Sequence, residues 1–197
     1  MVKEKITGII LSGGKSSRLG EEKGLAKFNG KPLISYSIDI LKPVCDNILI
    51  SANSQLDDYD DFGYEVIEDQ VKDIGPMGGL MACLERSDTR YNFVISCDTP
   101  FVPSDLFPFL LESIENFQVA APVHHDNYIE PLCAIYATNV IWQLQHCIES
   151  RNYKLTDFID KVNAKKVAIN DQLPFYHEEM FVNMNTRKDI QKNSPDE

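Results

Sequence analysis

The chain has 197 residues, 43% of them apolar and 25% charged, an ordinary balance for a soluble globular protein long enough to bury a sizeable core. A net charge of −11 argues against a nucleic-acid-binding surface, and no apolar run is long enough to span a membrane. The N-terminus shows no signal-peptide h-region, and five scattered cysteines without a C-x-x-C pair read as reduced thiols rather than a zinc site or disulfide framework, so a cytoplasmic protein is expected.

Residues 6–11, ITGIIL, read as a buried strand running into Ser12-Gly13-Gly14, with Lys15, Arg18 and Lys23 close behind. Adjacent glycines let the backbone approach a ligand, and successive N–H groups form an anion-binding concavity. Two phosphate motifs are excluded. G-x-G-x-x-G is absent, and in the pattern G-x-x-x-x-G-K-[ST] Gly14 falls where the lysine must stand. PLISYSIDILKPV reads as an amphipathic helix ended by Pro43, and NILISAN as a second buried strand stopping at Asn53. DDYDDFG reads as a solvated acidic loop with no metal. YEVIED is a third strand ending in Glu68-Asp69, and QVKDIGPMGG a glycine-bearing loop. GLMACLERS is helical. YNFVISCD is a fourth buried strand ending at Asp98, and TPFVPSDLFPFLLESIEN a turn and helix with Ser104 as N-cap.

The second half is less regular. QVAAPVHH and YIEPLCAIYA read as strands, with a hairpin across HDN. TNVIWQLQHCIES and KLTDFIDKV read as helices and KKVAIN as a further strand. FVNMNT precedes a last short helix, capped by Asn185 or Thr186. Trp142 reads as core, and the paired His124 and His125 as solvated side chains in a polar turn. No linker or repeat divides the chain, so residues 1–197 are expected to form one domain.

Strands alternating with helices predict right-handed crossovers and a mostly parallel sheet. In such sheets ligands bind beyond the carboxyl ends of the strands, and Ser12 to Gly14, Asn53, Asp69 and Asp98 all fall at such ends. An asparagine amide offers a donor and an acceptor to a base edge. Gly75 to Gly79 open a helix whose N-terminal donors suit an anion. Asp98 ends the most apolar strand, where a carboxylate is held rigidly, and magnesium takes one or two carboxylates together with phosphate oxygens. Asn183 and Asn185, at alternate positions of an extended segment, point to one side.

LSGGKSSRLGEEKGLAKFNGKPLI, together with GPMGG, CDTPFVP and FVNMNT, resembles the signatures of the MobA-like nucleotidyltransferases. Ser12 and Leu19 replace the usual alanine and methionine. The resemblance implies a three-layer, Rossmann-like nucleotidyltransferase fold of the α/β class. It assigns catalytic roles to Arg18, Lys23 and Asp98, and nucleotide contacts to Leu11, Ser12, Gly13, Gly14, Lys23, Asn53, Asp69, Gly75 and Asp98. It also makes Asp98 the ligand of Mg2+, with Mn2+ as the alternative ion, and places Asn183 and Asn185 near the metal or acceptor. It leaves open an acceptor contact at His124 and His125. The Gly13-Gly14 pair is similar to that of the guanylyl-transferring members. The implied partners are GTP and molybdopterin-bound molybdenum cofactor, with transient contacts to other cofactor-biosynthesis or acceptor proteins. A cytidylyl or sugar-phosphate transferase, or a nucleotide-binding subunit without turnover, are the alternatives.

Overall fold

A computed structural model describes residues 4–12, 22–125 and 127–193. In chain order the elements are β1 (Ile6–Leu11), a 3-10 turn (Lys23–Leu25), β2 (Lys27–Phe28), β3 (Lys31–Pro32), α1 (Leu33–Leu41), β4 (Asn47–Ser51), α2 (Leu56–Asp60) and β5 (Glu65–Ile67). Then come α3 (Pro76–Arg86), β6 (Tyr91–Ser96), α4 (Leu106–Ser113), β7 (Val119–His124), β8 (Tyr128–Ile129) and β9 (Cys133–Ala137). The chain continues through α5 (Ile141–Glu149), α6 (Leu155–Lys161), β10 (Ala164–Ala168) and α7 (Arg187–Asn193).

Seven strands form one sheet in the order β10-β7-β9-β6-β1-β4-β5, and β8 hydrogen-bonds to β7 outside that row. β1 is central, parallel to both β4 and β6. β9 runs antiparallel between β6 and β7, so the sheet is mixed but mostly parallel. Strands buried on both faces need apolar residues at every position, and β1 is buried throughout. Its residues alternate between two cores: Ile6 and Ile10 meet α1 and α4, whereas Ile9 and Leu11 meet α3, α5 and α6. Helices on both faces make three layers.

Four local expectations are corrected. The acidic stretch after β4 is solvated as expected, with Asp57, Asp58, Asp60 and Asp61 exposed, but it is helical rather than loop through Asp60: it folds into α2, anchored by Tyr59, which is 0% exposed. Ser104 does not cap α4; Asp105 holds the N-cap position, and no side chain caps it. Trp142 is 77% exposed, since α5 buries Leu144 and Cys147 and position 142 lies about 200° around the helix from 144. YIEPLCAIYA is not one strand: Glu130 and Pro131 fall between β8 and β9, and β7 and β8 form the expected hairpin. At the last helix Thr186 is the cap. Its Oγ1 accepts from Asp189 N–H at 3.2 Å, and Asp189 Oδ2 accepts from Thr186 N–H at 2.8 Å, a reciprocal box. All five thiols are free, with Cys45 half-buried and the others buried. No helix among the described residues is long and apolar enough to cross a membrane.

Candidate active site

The carboxyl edge of the sheet collects polar side chains from elements far apart in the chain. Asp98, two residues past β6, is 5% exposed and has both carboxylate oxygens engaged. Lys23 Nζ donates to Oδ2 and Ser96 Oγ to Oδ1. Lys23 Nζ also donates to Asn185 Oδ1 at 2.7 Å. The late segment is held there by its backbone, because Met184 N–H donates to Asp98 C=O at 2.8 Å. Met184 is buried while Asn183 and Asn185 are exposed on either side of it, the alternation expected of extended chain. Asn183 turns its amide to Phe181 C=O at 3.1 Å, so of the two asparagines Asn185 is the one brought to Lys23 and Asp98.

Asn53 and Asp69 meet beyond β4 and β5. Asn53 Nδ2 donates to Asp69 Oδ2 at 2.9 Å, and Asp69 N–H returns a bond to Asn53 Oδ1 at 3.0 Å. Ser51 Oγ donates to Asp69 Oδ1 at 3.1 Å. The exchange fixes the amide and keeps one N–H and one lone pair of Asn53 for a ligand. Gly75, with φ +68° and ψ −157°, adopts backbone that glycine alone takes cheaply, and it starts α3. Gly78 and Gly79 do different work. A Cβ on Gly78 would stand 2.8 Å from Val71 C=O. A Cβ on Gly79 would overlap Ser51 Oγ and lie 3.1 Å from Asp69 Oδ1. These two glycines let α3 lie directly against the Asp69 carboxylate. Gly79→Ala is therefore expected to displace Ser51 and Asp69, raising the KM for the nucleotide severalfold with a smaller change in kcat; steady-state kinetics checks it.

Leu11 turns its side chain into the α3 core. Ser12 is 1% exposed, and both its donors are committed inward: N–H to Ser51 C=O at 2.9 Å and Oγ to Tyr59 Oη at 2.7 Å. Ser12 thus anchors the end of β1 and offers no N–H to a phosphate. Tyr59 Oη donates onward to Glu22 Oε1 at 3.3 Å, and Ser54 Oγ bonds Glu22 Oε2 at 2.6 Å. Burial raises the Tyr59 pKa, so the phenol stays protonated and relays the bond. The expected phosphate contacts of Gly13, Gly14 and Arg18 lie outside the described residues.

Tyr59, Ser51 and Ser96 belong to the site and were not singled out from the sequence. The two serines had a signal, since each is the polar last residue of an apolar strand. His124 was read as solvated, but its side chain is 12% exposed and its Nε2 lies 2.8 Å from Glu130 Oε1. His125 is exposed, as expected.

The donor set suits a hard cation. Lys23 ammonium lies between a carboxylate oxygen and an amide oxygen, both the ligand type magnesium and manganese prefer. Among the described residues no three His, Cys, Asp or Glu side chains gather into a metal cage.

Carboxylates and amides line the carboxyl edge of a mostly parallel sheet, on either side of its central strand, where ligands of open α/β proteins bind. Residues 8–166 match the model of the MobA-like NTP transferase domain, and the chain belongs to that family. It is 36% identical over 186 residues to a molybdenum cofactor guanylyltransferase of Yersinia pseudotuberculosis, covering 93% of this chain and 92% of that protein. It is 33% identical over 193 residues to a probable molybdenum cofactor guanylyltransferase of Thermococcus kodakarensis, covering 95% and 94%. The fold is also that of molybdopterin-guanine dinucleotide biosynthesis protein A from Archaeoglobus fulgidus, with a TM-score of 0.80 at 24% identity over 94% of this chain and 95% of that one.

Proposed function

We propose that this chain is a molybdenum cofactor guanylyltransferase, acting in the cytoplasm as one domain over residues 1–197. It moves GMP from GTP onto molybdopterin-bound molybdenum cofactor, giving the guanine dinucleotide and pyrophosphate. The observation that carries this reading is the meeting of Lys23, Asp98 and Asn185, from three distant stretches, at one point of the sheet edge. The five free thiols agree with a reducing compartment.

An acceptor phosphate oxygen attacks the α-phosphorus, and the bond from α-phosphorus to the bridging oxygen breaks as pyrophosphate leaves. The attacker is already anionic, so the site needs no Ser-His-Asp or Cys-His set. It needs cations to offset repulsion between anions, and a frame that holds them in line. Positioning of this kind is worth about 7–11 kcal/mol. Lys23, oriented by Asp98 and Asn185, has one N–H left to give a phosphate oxygen as a charge-assisted hydrogen bond, worth roughly 1.5–3 kcal/mol. Asn53 and Asp69 receive the base and ribose. Asp98 and Asn185 would hold the magnesium ion, whose chemistry is neutralisation of charge on the phosphates.

Pyrophosphate release measured with each of four nucleoside triphosphates and molybdenum cofactor tests the reading. GTP is expected to support turnover, lost on chelation of divalent ions. Turnover with CTP instead would replace guanylyl by cytidylyl transfer. Nucleotide binding with no pyrophosphate would leave a binding subunit.

A further inference from the structure

The proposed reaction leaves unused a concave site of about 310 Å³ on the sheet face covered by α3 and α5. Its apolar lining is Val71, Met81, Ala82 and Ile148, and the polar side chains around it, all exposed, are Gln70, Glu85, Gln145 and Glu149. An apolar hollow with a few convergent polar groups is the common form of a ligand site. This rim is made to accept. Gln70 Nε2 donates to Glu85 Oε2 at 3.3 Å, and Gln145 Nε2 donates to Glu149 Oε1 at 3.0 Å. Each amide spends an N–H on its neighbouring carboxylate and keeps its carbonyl, and each carboxylate keeps an oxygen.

Charge gives the occupant its sign. Among the described residues neither Glu85 nor Glu149 meets a lysine or arginine, although Glu65 and Glu68 do, with Arg86 and Lys72. Both stand in the last turn of a helix, where the dipole disfavours a carboxylate and favours a cation. An arginine side chain answers this rim better than a lysine: its guanidinium is planar, with five donors and no acceptor, and its methylenes suit the apolar lining. Two of the three large apolar side chains exposed among the described residues belong to the same face, Val71 in the lining and Trp142 on α5. Trp142 lies about 20° around the helix from Glu149 and roughly 10 Å along it, the length of about three residues of extended chain. Tryptophan and arginine are both enriched among the residues that carry protein–protein binding energy.

We propose that this face is a docking surface for a second protein that presents an arginine. The arginine side chain fills the cavity and is held by Glu85 and Glu149, and the partner residues beside it cover Trp142. The surface uses none of Lys23, Asp98 or Asn185, and no step of the proposed reaction depends on it.

Trp142 is the chain's one tryptophan, so its emission reports docking directly. The test titrates the full-length chain with the acetylated and amidated tripeptide Leu-Arg-Leu, and with its citrulline counterpart, which has arginine's shape without its charge. The arginine peptide is expected to change the emission saturably, and the citrulline peptide to need at least about tenfold more. Replacing both carboxylates, Glu85→Gln with Glu149→Gln, is expected to weaken the arginine peptide about tenfold, since each exposed pair contributes a few-fold and the two multiply. Both side chains are exposed, so the double variant keeps its fold, which a melting curve checks. No saturable change, equal affinities for the two peptides, or an unaffected double variant overturns the proposal. Nα-acetylarginine amide binding as tightly as the tripeptide would make the cavity a small-molecule site. Emission that changes with protein concentration before any peptide is added would give the face to a second copy of the chain. Either of these results also overturns it.

Discussion

Asp98→Asn is expected to lower turnover about 10²–10³-fold while leaving the protein folded, the range seen when one fixed charge-stabilising group is removed from an active site. Asp98 is buried against Lys23 and Ser96. Deleting one partner of a buried ion pair is costly, often about 3–5 kcal/mol, and would confuse loss of chemistry with loss of fold. The asparagine amide avoids that problem. Its carbonyl can still accept from Lys23, and its N–H can donate to Ser96 Oγ, which accepts as readily as it donates. What disappears is the negative charge that would share a divalent ion with the phosphates. Pyrophosphate release gives the rate, and a thermal melt within a few degrees of wild type shows that the fold survived. Undiminished turnover would remove Asp98 from the chemistry.

Gly24→Ala is expected to harm stability and activity together. A Cβ there would overlap Ser12 Oγ and stand 2.5 Å from Tyr59 Oη and 3.1 Å from the Tyr59 ring. Ser12 and Tyr59 are both fully buried and bonded to each other, so neither yields at low cost. Overpacking of this kind costs about 1–3 kcal/mol. For a chain of this size that is a fall in Tm of roughly 2–12 °C. The residue before it is Lys23, so any shift of the turn carries the ammonium away from Asp98 and Asn185. A melting curve and kcat/KM read both effects. An alanine variant with wild-type Tm would show that the end of β1 has room that its packing denies.

The local pattern alone was enough for a mostly parallel α/β sheet, because strands buried on two faces announce themselves as apolar runs that stop at a polar residue, whereas its three layers were implied by the family resemblance. Asn53, Asp69 and Asp98 were legible for the same reason: the edge where a buried strand surfaces is where a polar side chain is tolerated and a ligand reached. The place of a cap at Asn185 or Thr186 followed from a polar pair before a short helix, and the bonds to Asp189 chose Thr186. These features are written in stretches of ten residues or fewer.

Other features depended on residues that meet only in three dimensions. Tyr59 sits in a run of aspartates, and nothing nearby says that its hydroxyl joins Ser12 to Glu22 across the end of β1. Trp142 reads as core from its size and apolar neighbours, yet it is exposed because burial depends on which face of α5 the rest of the fold covers, and that face carries Leu144 and Cys147. His124 was misread because a polar turn hides the fact that Glu130 returns beside it and Phe181 closes over it from 57 positions away. Composition and periodicity specify where the chain turns polar. Which polar groups then face one another is set by pairing in three dimensions: the β7–β8 hairpin returns Glu130 beside His124, and the late segment lays Phe181 over the ring.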